Sequence, residues 1–122
     1  MKTQKQILGQ EGENIAIRHL INQKYKILAR NFRDGYAEID IIATDNHELI
    51  VVEVKTRNSS KYGEPEESVS TKKQQLLSQA IEAYMEIHEL KIPVRFDIIS
   101  IIKNQYKIDL NHIKDAFWPG LY

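Results

Sequence analysis

Apolar positions recur along this chain with two periods, and stretches of each period alternate. Over about residues 4–23, Ile7, Leu8, Ile15, Ala16, Leu20 and Ile21 return every three to four positions, the spacing of one helical face. Gly9 and Gly12 interrupt that stripe. A glycine inside a helix costs about 1 kcal/mol relative to alanine, so each signals close packing against another backbone or a local break. Residues 25–32 switch to period two, with Tyr25, Ile27 and Ala29 alternating against Lys26, Leu28 and Arg30. That predicts a strand closed by a turn at Arg33-Asp34-Gly35. Two further strands follow at about residues 37–43 and 48–56, both rich in isoleucine and valine, with Thr44-Asp45-Asn46-His47 as the turn between them. Residues 58–67 are polar, hold Gly63 and Pro65, and read as a loop. Helical spacing returns over about residues 71–90, where Leu76, Leu77, Ala80, Ile81, Tyr84 and Ile87 form the buried stripe. Thr71 and Gln74 stand at capping-box spacing, and Pro93 marks the exit. Strands at residues 94–102 and 106–110 complete the pattern, joined at Lys103-Asn104-Gln105. From residue 111 the chain carries Phe117, Trp118 and Pro119 and fits a short helix followed by a docking tail. The order α-β-β-β-α-β-β predicts an α/β domain with a central mixed sheet flanked by helices. Its first three strands form an antiparallel meander, and its second helix is a crossover.

Composition narrows the class. With 122 residues, 42% hydrophobic and 28% charged, the chain reads as one globular domain over residues 1–122, able to bury a core. No apolar run reaches the roughly 18 residues of a membrane span, and the start has no apolar segment of the secretory kind. The absence of cysteine excludes disulfides and thiolate metal sites and fits a reducing cytoplasm. The charge balance of 17 basic and 17 acidic residues is unlike that of most nucleic-acid-binding domains. It is uneven, however. Residues 1–33 hold seven basic and two acidic residues, a net +5, which leaves −5 on the remainder. That division suits both a phosphate-rich partner beside an acidic pocket and an ordinary solvated surface. His19, His47, His88 and His112 lack ligand spacing and read as surface residues.

One stretch, AEIDIIATDNHELIVVEVKTR at residues 37–57, places charges where a buried strand favours valine. Alternation puts Glu38 with Asp40 and Glu53 with Lys55. With Asn46-His47 as the loop, Asp40 faces Glu53. With Asp45-Asn46 as the loop, Asp40 faces Val51 and Glu53 is one step diagonal. Either even-length loop leaves all four polar residues on one face, with Ile39, Ile41, Ile50, Val52 and Val54 on the other. Opposed strand side chains have Cβ atoms about 5 Å apart. Two carboxylates at that separation repel, and a divalent cation between them removes the repulsion. A cross-strand salt-bridge ladder accounts for the same spacing without any ligand. Glu13, four residues before Ile17 and seven before Leu20, shares their helical face. It reads equally as an inward acid and as a solvated one.

The strand acid, hairpin and Glu53-Val54-Lys55 resemble the PD-(D/E)xK nuclease pattern. More widely, the chain resembles the YraN-like family of small bacterial proteins. The matching pieces are Gly9-x-x-Gly12-Glu13-x-x-Ala16, Arg30-Asn31-Phe32-Arg33, residues 38–43 (EIDIIA), residues 52–57 (VEVKTR), Tyr62-Gly63, Lys73-Gln74 and Arg95-Phe96-Asp97. The resemblance implies a restriction-endonuclease-like three-layer fold, akin to Holliday junction resolvases. It implies a Mg²⁺- or Mn²⁺-dependent nuclease acting on structured or branched DNA, and a homodimer. By position, Asp40, Glu53 and Glu13 would hold metal, and Lys55 would be the catalytic lysine. Gln74 would stand near that lysine, and Arg30, Arg33, Arg57 and Lys73 would contact phosphate. Ala37 departs from the pattern, which has glycine there. A nucleic-acid-binding or adaptor protein that keeps the fold without turnover is the alternative.

Overall fold

The computed structural model describes residues 1–59, 61, 63 and 69–119. Five strands, β1 (Lys26–Asp34), β2 (Ala37–Thr44), β3 (Leu49–Arg57), β4 (Val94–Lys103) and β5 (Ile108–Ile113), form one sheet in that spatial order. The first three make an antiparallel meander. β4 runs parallel to β3 from Leu49↔Val94 to Arg57↔Ile102, and β5 returns antiparallel to β4. With helices α1 (Gln4–Asn22) and α2 (Thr71–Ile87), the order is α-β-β-β-α-β-β, as the periodicity predicts.

Each face of the sheet has its own core. On one, Leu77, Ala80, Ile81 and Tyr84 of α2 pack with Ile39, Ile42, Leu49, Val51, Phe96 and Ile98. On the other, Ala16 and Leu20 of α1 pack with Ile41, Ala43, Ile50, Val52, Ile99 and Ile101. Burying each of these large aliphatic side chains stabilises the fold by about 1.5–3 kcal/mol. β3 lies between two strands and beneath two helices, so Leu49, Ile50, Val51 and Val52 are all fully buried.

α1 starts at a capping box in which Thr3 and Gln6 bond each other's backbone N–H. It runs unbroken through both glycines. A Cβ on Gly12 would lie 1.8 Å from Thr56 Oγ1, so the missing side chain is what lets α1 seat on β3, whereas a Cβ on Gly9 would meet nothing within 4 Å. α2 is capped one residue earlier than expected. Ser70, not Thr71, is extended at φ −64°, ψ 162°, and accepts from the Lys73 N–H. Its last turn ends at Ile87, short of residue 90.

Three strand boundaries also move. β1 continues through Asp34, which pairs with Ala37, so the turn is Gly35-Tyr36 with Gly35 at φ +61°. β5 begins at Ile108 because Asn104 ties off the preceding turn, accepting from the N–H groups of Tyr106 and Lys107. It runs to Ile113, past the expected end at residue 110. The segment after it is not a helix. Ala116 donates to the Phe96 carbonyl at 2.7 Å, and Phe117 is buried with its ring 5.4 Å from that of Phe96. Phe117 is therefore core, and only Trp118 of the expected docking pair is exposed. Of the expected loop, residues 60, 62 and 64–67 lie outside the described residues, as do the last three of the chain. No described helix is long and apolar enough to cross a membrane.

Candidate functional site

The β2–β3 ladder runs Thr44↔Leu49, Ala43↔Ile50, Ile42↔Val51 and Ile41↔Val52. This is the first of the two even registers, and continuing it sets Asp40 opposite Glu53. The turn is locked by Asp45, whose Oδ1 accepts from the N–H groups of His47 and Glu48 at 2.9 and 2.8 Å, while Asn46 takes φ +75°. Those backbone bonds hold Asp45 below the usual carboxylate range.

Pairing stops where the chemistry begins. Asp40 Oδ2 accepts from the Val54 N–H at 2.8 Å, so a side chain occupies the place of a backbone partner. Opposite Asp40 on β1 stands Asn31, between the pairs Arg30↔Ile41 and Phe32↔Ile39, held at φ +52° inside a strand. Ile39 packs in the α2 core while Ile41, two positions on, packs in the α1 core. The expected single apolar face is therefore split at Asp40, and Leu49 and Val51 join Ile39 on the α2 side. Glu38 leaves the acidic cluster, its carboxylate 3.0 Å from the Arg33 guanidinium.

Asp40, Glu53 and Lys55 do come together, with Lys73 from α2. Glu53 is 3% exposed. Its Oε1 is 2.6 Å from Lys73 Nζ and 3.7 Å from Lys55 Nζ. Its Oε2 is buried and has no hydrogen-bond partner among the described residues. Burial and the neighbouring Glu53 carboxylate push the Asp40 carboxyl up to about 7, against the pull of the Val54 bond. Burial and the adjacent Lys73 cation hold Lys55 below the usual ammonium range. Burial acts the same way on Lys73, but Glu53 outweighs it and its ammonium is held above that range.

The other expected residues sit around this centre. Glu13 adds its negative potential at Asp40, but its own Oε1 lies 3.5 Å from Arg30 Nη2. Gln74 is buried at the start of α2 and donates from Nε2 to the Val69 carbonyl at 3.1 Å. Arg33 is largely exposed beside Glu38. Arg57 donates to the Gly63 carbonyl at 2.8 Å, and its Nε is buried without a partner among the described residues. Lys73, expected at a phosphate, is instead the principal partner of Glu53. Its residue type gave no sign of that, because the helical phase of α2 over the sheet decides it.

Among the described residues no three Asp, Glu or His side chains converge as a metal cage. Two carboxylates do, and Mg²⁺ needs only one or two when water and phosphate oxygens complete its shell. The unpartnered Glu53 oxygen leaves an acceptor position open beside Asp40, whose own proton affinity is raised.

A second polar cluster lies on the α1 face and contrasts with the first. Asp97 is fully buried, accepting from Arg95 Nε and Nη2 at 2.9 and 2.8 Å and from the Asp115 N–H at 3.0 Å. His112 Nε2 is 2.8 Å from Asp97, and His112 Nδ1 is 3.0 Å from His19 Nε2. Burial favours the neutral acid, yet the bonds from His112 and Arg95 prevail and hold Asp97 below the usual carboxylate range. Every Asp97 oxygen is answered, which marks a structural tie. His19 and His112 are thus members of this network, not surface residues. Their partnership spans positions 93 apart in the chain, beyond the reach of any local pattern.

The described residues define an α/β protein of two helices and a five-stranded sheet, carrying paired carboxylates and two lysines where the β2–β3 pairing ends. The sequence model of the Uncharacterised protein family UPF0102 matches residues 12–101. The chain belongs to that family, the YraN-like group whose motifs it carries. It is 43% identical to a UPF0102 protein of Bacteroides thetaiotaomicron over 115 residues, covering 94% of this chain and 95% of the relative. It is 47% identical to one of Thermodesulfovibrio yellowstonii over 111 residues, covering 91% and 96%. A third, from Persephonella marina, is 46% identical over 112 residues, covering 91% and 93%.

Proposed function

We propose that the protein is a metal-dependent nuclease that hydrolyses phosphodiester bonds in structured or branched DNA. The observation that carries this reading is the buried Asp40–Glu53 pair, with one carboxylate oxygen unanswered and two lysines alongside. A structural salt bridge satisfies its partners, as Asp97 does. A buried acceptor left without a partner is a position open to a ligand. The restriction-endonuclease-like pattern of the sequence supports the same reading.

Asp40 and Glu53 would hold Mg²⁺ or Mn²⁺, with Glu13 strengthening the field from α1. When bound, the ion supplies Lewis-acid polarisation of a phosphate oxygen and a more acidic water. Lys55 stands 3.7 Å from Glu53 with its proton affinity lowered, suited to orient or deprotonate the attacking water. Lys73 carries a firm positive charge for the phosphorane oxygens. Gln74 anchors the first turn of α2 and so fixes where Lys73 stands. Arg30, Arg33 and Arg57 supply peripheral phosphate contacts.

The test is cleavage of duplex, single-stranded and four-way-junction DNA in Mg²⁺, Mn²⁺ or EDTA by wild type, Glu53→Gln and Lys55→Ala. The expected result is metal-dependent cutting that both substitutions abolish. Cutting that survives in Glu53→Gln sinks the proposed site. Two observations favour a binding protein without turnover: Lys73 already occupies one Glu53 oxygen, and among the described residues no third acid converges. Junction binding without cleavage in any metal would establish that second reading.

A further inference from the structure

The candidate centre opens into a cleft of about 370 Å³ lined by Asp40, Lys73, Lys72, Leu76 and Tyr36, among others. Tyr36 is the unusual member. It stands at the β1–β2 turn, 101% exposed. A whole aromatic ring held in water at the mouth of a charged cleft has no packing role in the fold. Its backbone, by contrast, is rigidly placed. Gly35 supplies the positive φ of the two-residue turn, Asp34 pairs with Ala37 immediately beside it, and Ala37 is buried in the α2 core. The ring is thus an apolar surface carried by a placed backbone, next to groups of both charges. Ser70 and Lys72 at the start of α2 offer hydrogen-bond donors across the same cleft.

We propose that Tyr36 is a stacking platform for an unpaired nucleobase, so that the substrate is nucleic acid whose strand is single or opened beside the scissile phosphate. The inference rests on the nuclease reading for the phosphate at Asp40 and Glu53, and adds to it the form of the strand. Stacking on an aromatic ring accepts any base, because every base presents a π face, and it requires that the base be free of its duplex neighbours. A continuous duplex cannot supply such a face at the position next to the cut without unstacking. The basic residues on the other side of Glu38, among them Arg30 and Arg33, then carry the flanking backbone.

The experiment uses the full chain with Ca²⁺ in place of Mg²⁺ to allow binding without turnover. The probes are a fluorescent thymidine oligomer, the same oligomer with abasic sites, and a blunt duplex. Wild type is compared with Tyr36→Ala and Tyr36→Phe, each checked for native circular dichroism. Tyr36→Ala should weaken oligothymidine binding about 5- to 150-fold, the range that base–aromatic stacking gives. Tyr36→Phe should bind as wild type. The loss in Tyr36→Ala should vanish on the abasic strand, which keeps the phosphates and lacks the bases. Equal binding of the thymidine oligomer by wild type and Tyr36→Ala overturns the proposal, as does an equal loss on the abasic strand or failure to bind any probe. A Tyr36-dependent preference for the base-bearing strand, with no cleavage in Mg²⁺ or Mn²⁺, upholds the stacking platform and removes the nuclease reading alone.

Discussion

Replacing Asp40 with asparagine should make the metal-free protein more stable, and the size of the gain follows from the site. The Asp40 carboxyl rises from its ordinary 3.8 to about 7 because it is buried beside Glu53. At about 1.4 kcal/mol for each tenfold change in proton affinity, that rise corresponds to about 4 kcal/mol. A group whose proton affinity is raised by folding stabilises the fold while it holds its proton. Here the contribution is complete below about pH 4 and is lost as pH climbs through about 7, so near pH 8 the folded chain bears the full cost of a buried anion. Asparagine keeps an oxygen for the Val54 N–H and carries no charge. Urea denaturation in EDTA should show wild type losing stability between about pH 5 and pH 8 while Asp40→Asn changes far less. Asp40→Asn should be the more stable by up to about 4 kcal/mol near pH 8. Mg²⁺ should restore wild type, by about 2.7 kcal/mol at one hundred times its dissociation constant, and leave Asp40→Asn unmoved. A less stable Asp40→Asn near pH 8, or a difference that does not vary with pH, would refute the reasoning.

Other expectations follow from packing and the buried network. Gly9→Ala should raise thermal stability by up to about 1 kcal/mol, since its Cβ meets nothing, whereas Gly12→Ala should lower it by about 1–3 kcal/mol through the clash with Thr56. Asn31→Gly should be close to neutral and Asn31→Val should cost about 1–2 kcal/mol in chemical denaturation, because only the former accepts φ +52° readily. His112→Ala should destabilise by about 1–3 kcal/mol by stripping a partner from the buried Asp97. Folding lowers the proton affinity of Asp97, so its contribution is present above its ordinary value of 3.8 and is lost as pH falls. His112→Ala should therefore unfold in acid at a higher pH than wild type, read by circular dichroism.

The sequence carries the parts of this structure that depend on local period. The two helices, the five strands and their order are written in spacings of 3.6 and 2. The meeting of Asp40 with Glu53 follows from an even loop at Asn46-His47. What escapes is set by contacts between distant elements. The change of face between Ile39 and Ile41 coincides with a left-handed Asn31 opposite Asp40 on the neighbouring strand. Only its residue type, tolerant of left-handed backbone, offered a hint. Lys73 reaches Glu53 because of how α2 is rotated over the sheet, and a basic residue on a helix face looks the same whether it meets a carboxylate or solvent. The cap falls on Ser70 and not on Thr71 because both side chains offer the same oxygen and only the backbone geometry of the folded chain chooses between them. The Asp97–His112–His19 tie and the burial of Phe117 join segments that only the folded sheet brings together.

The central claim is that Asp40 and Glu53 share one divalent ion. Titration of Mn²⁺ into the full-length protein, followed by the loss of the free-ion electron paramagnetic resonance signal, measures that sharing without recourse to turnover. Wild type should take up one ion per chain, and Asp40→Asn and Glu53→Gln should each abolish uptake while remaining folded. Retention of the ion by either variant, or its absence from wild type at neutral pH, contradicts the account.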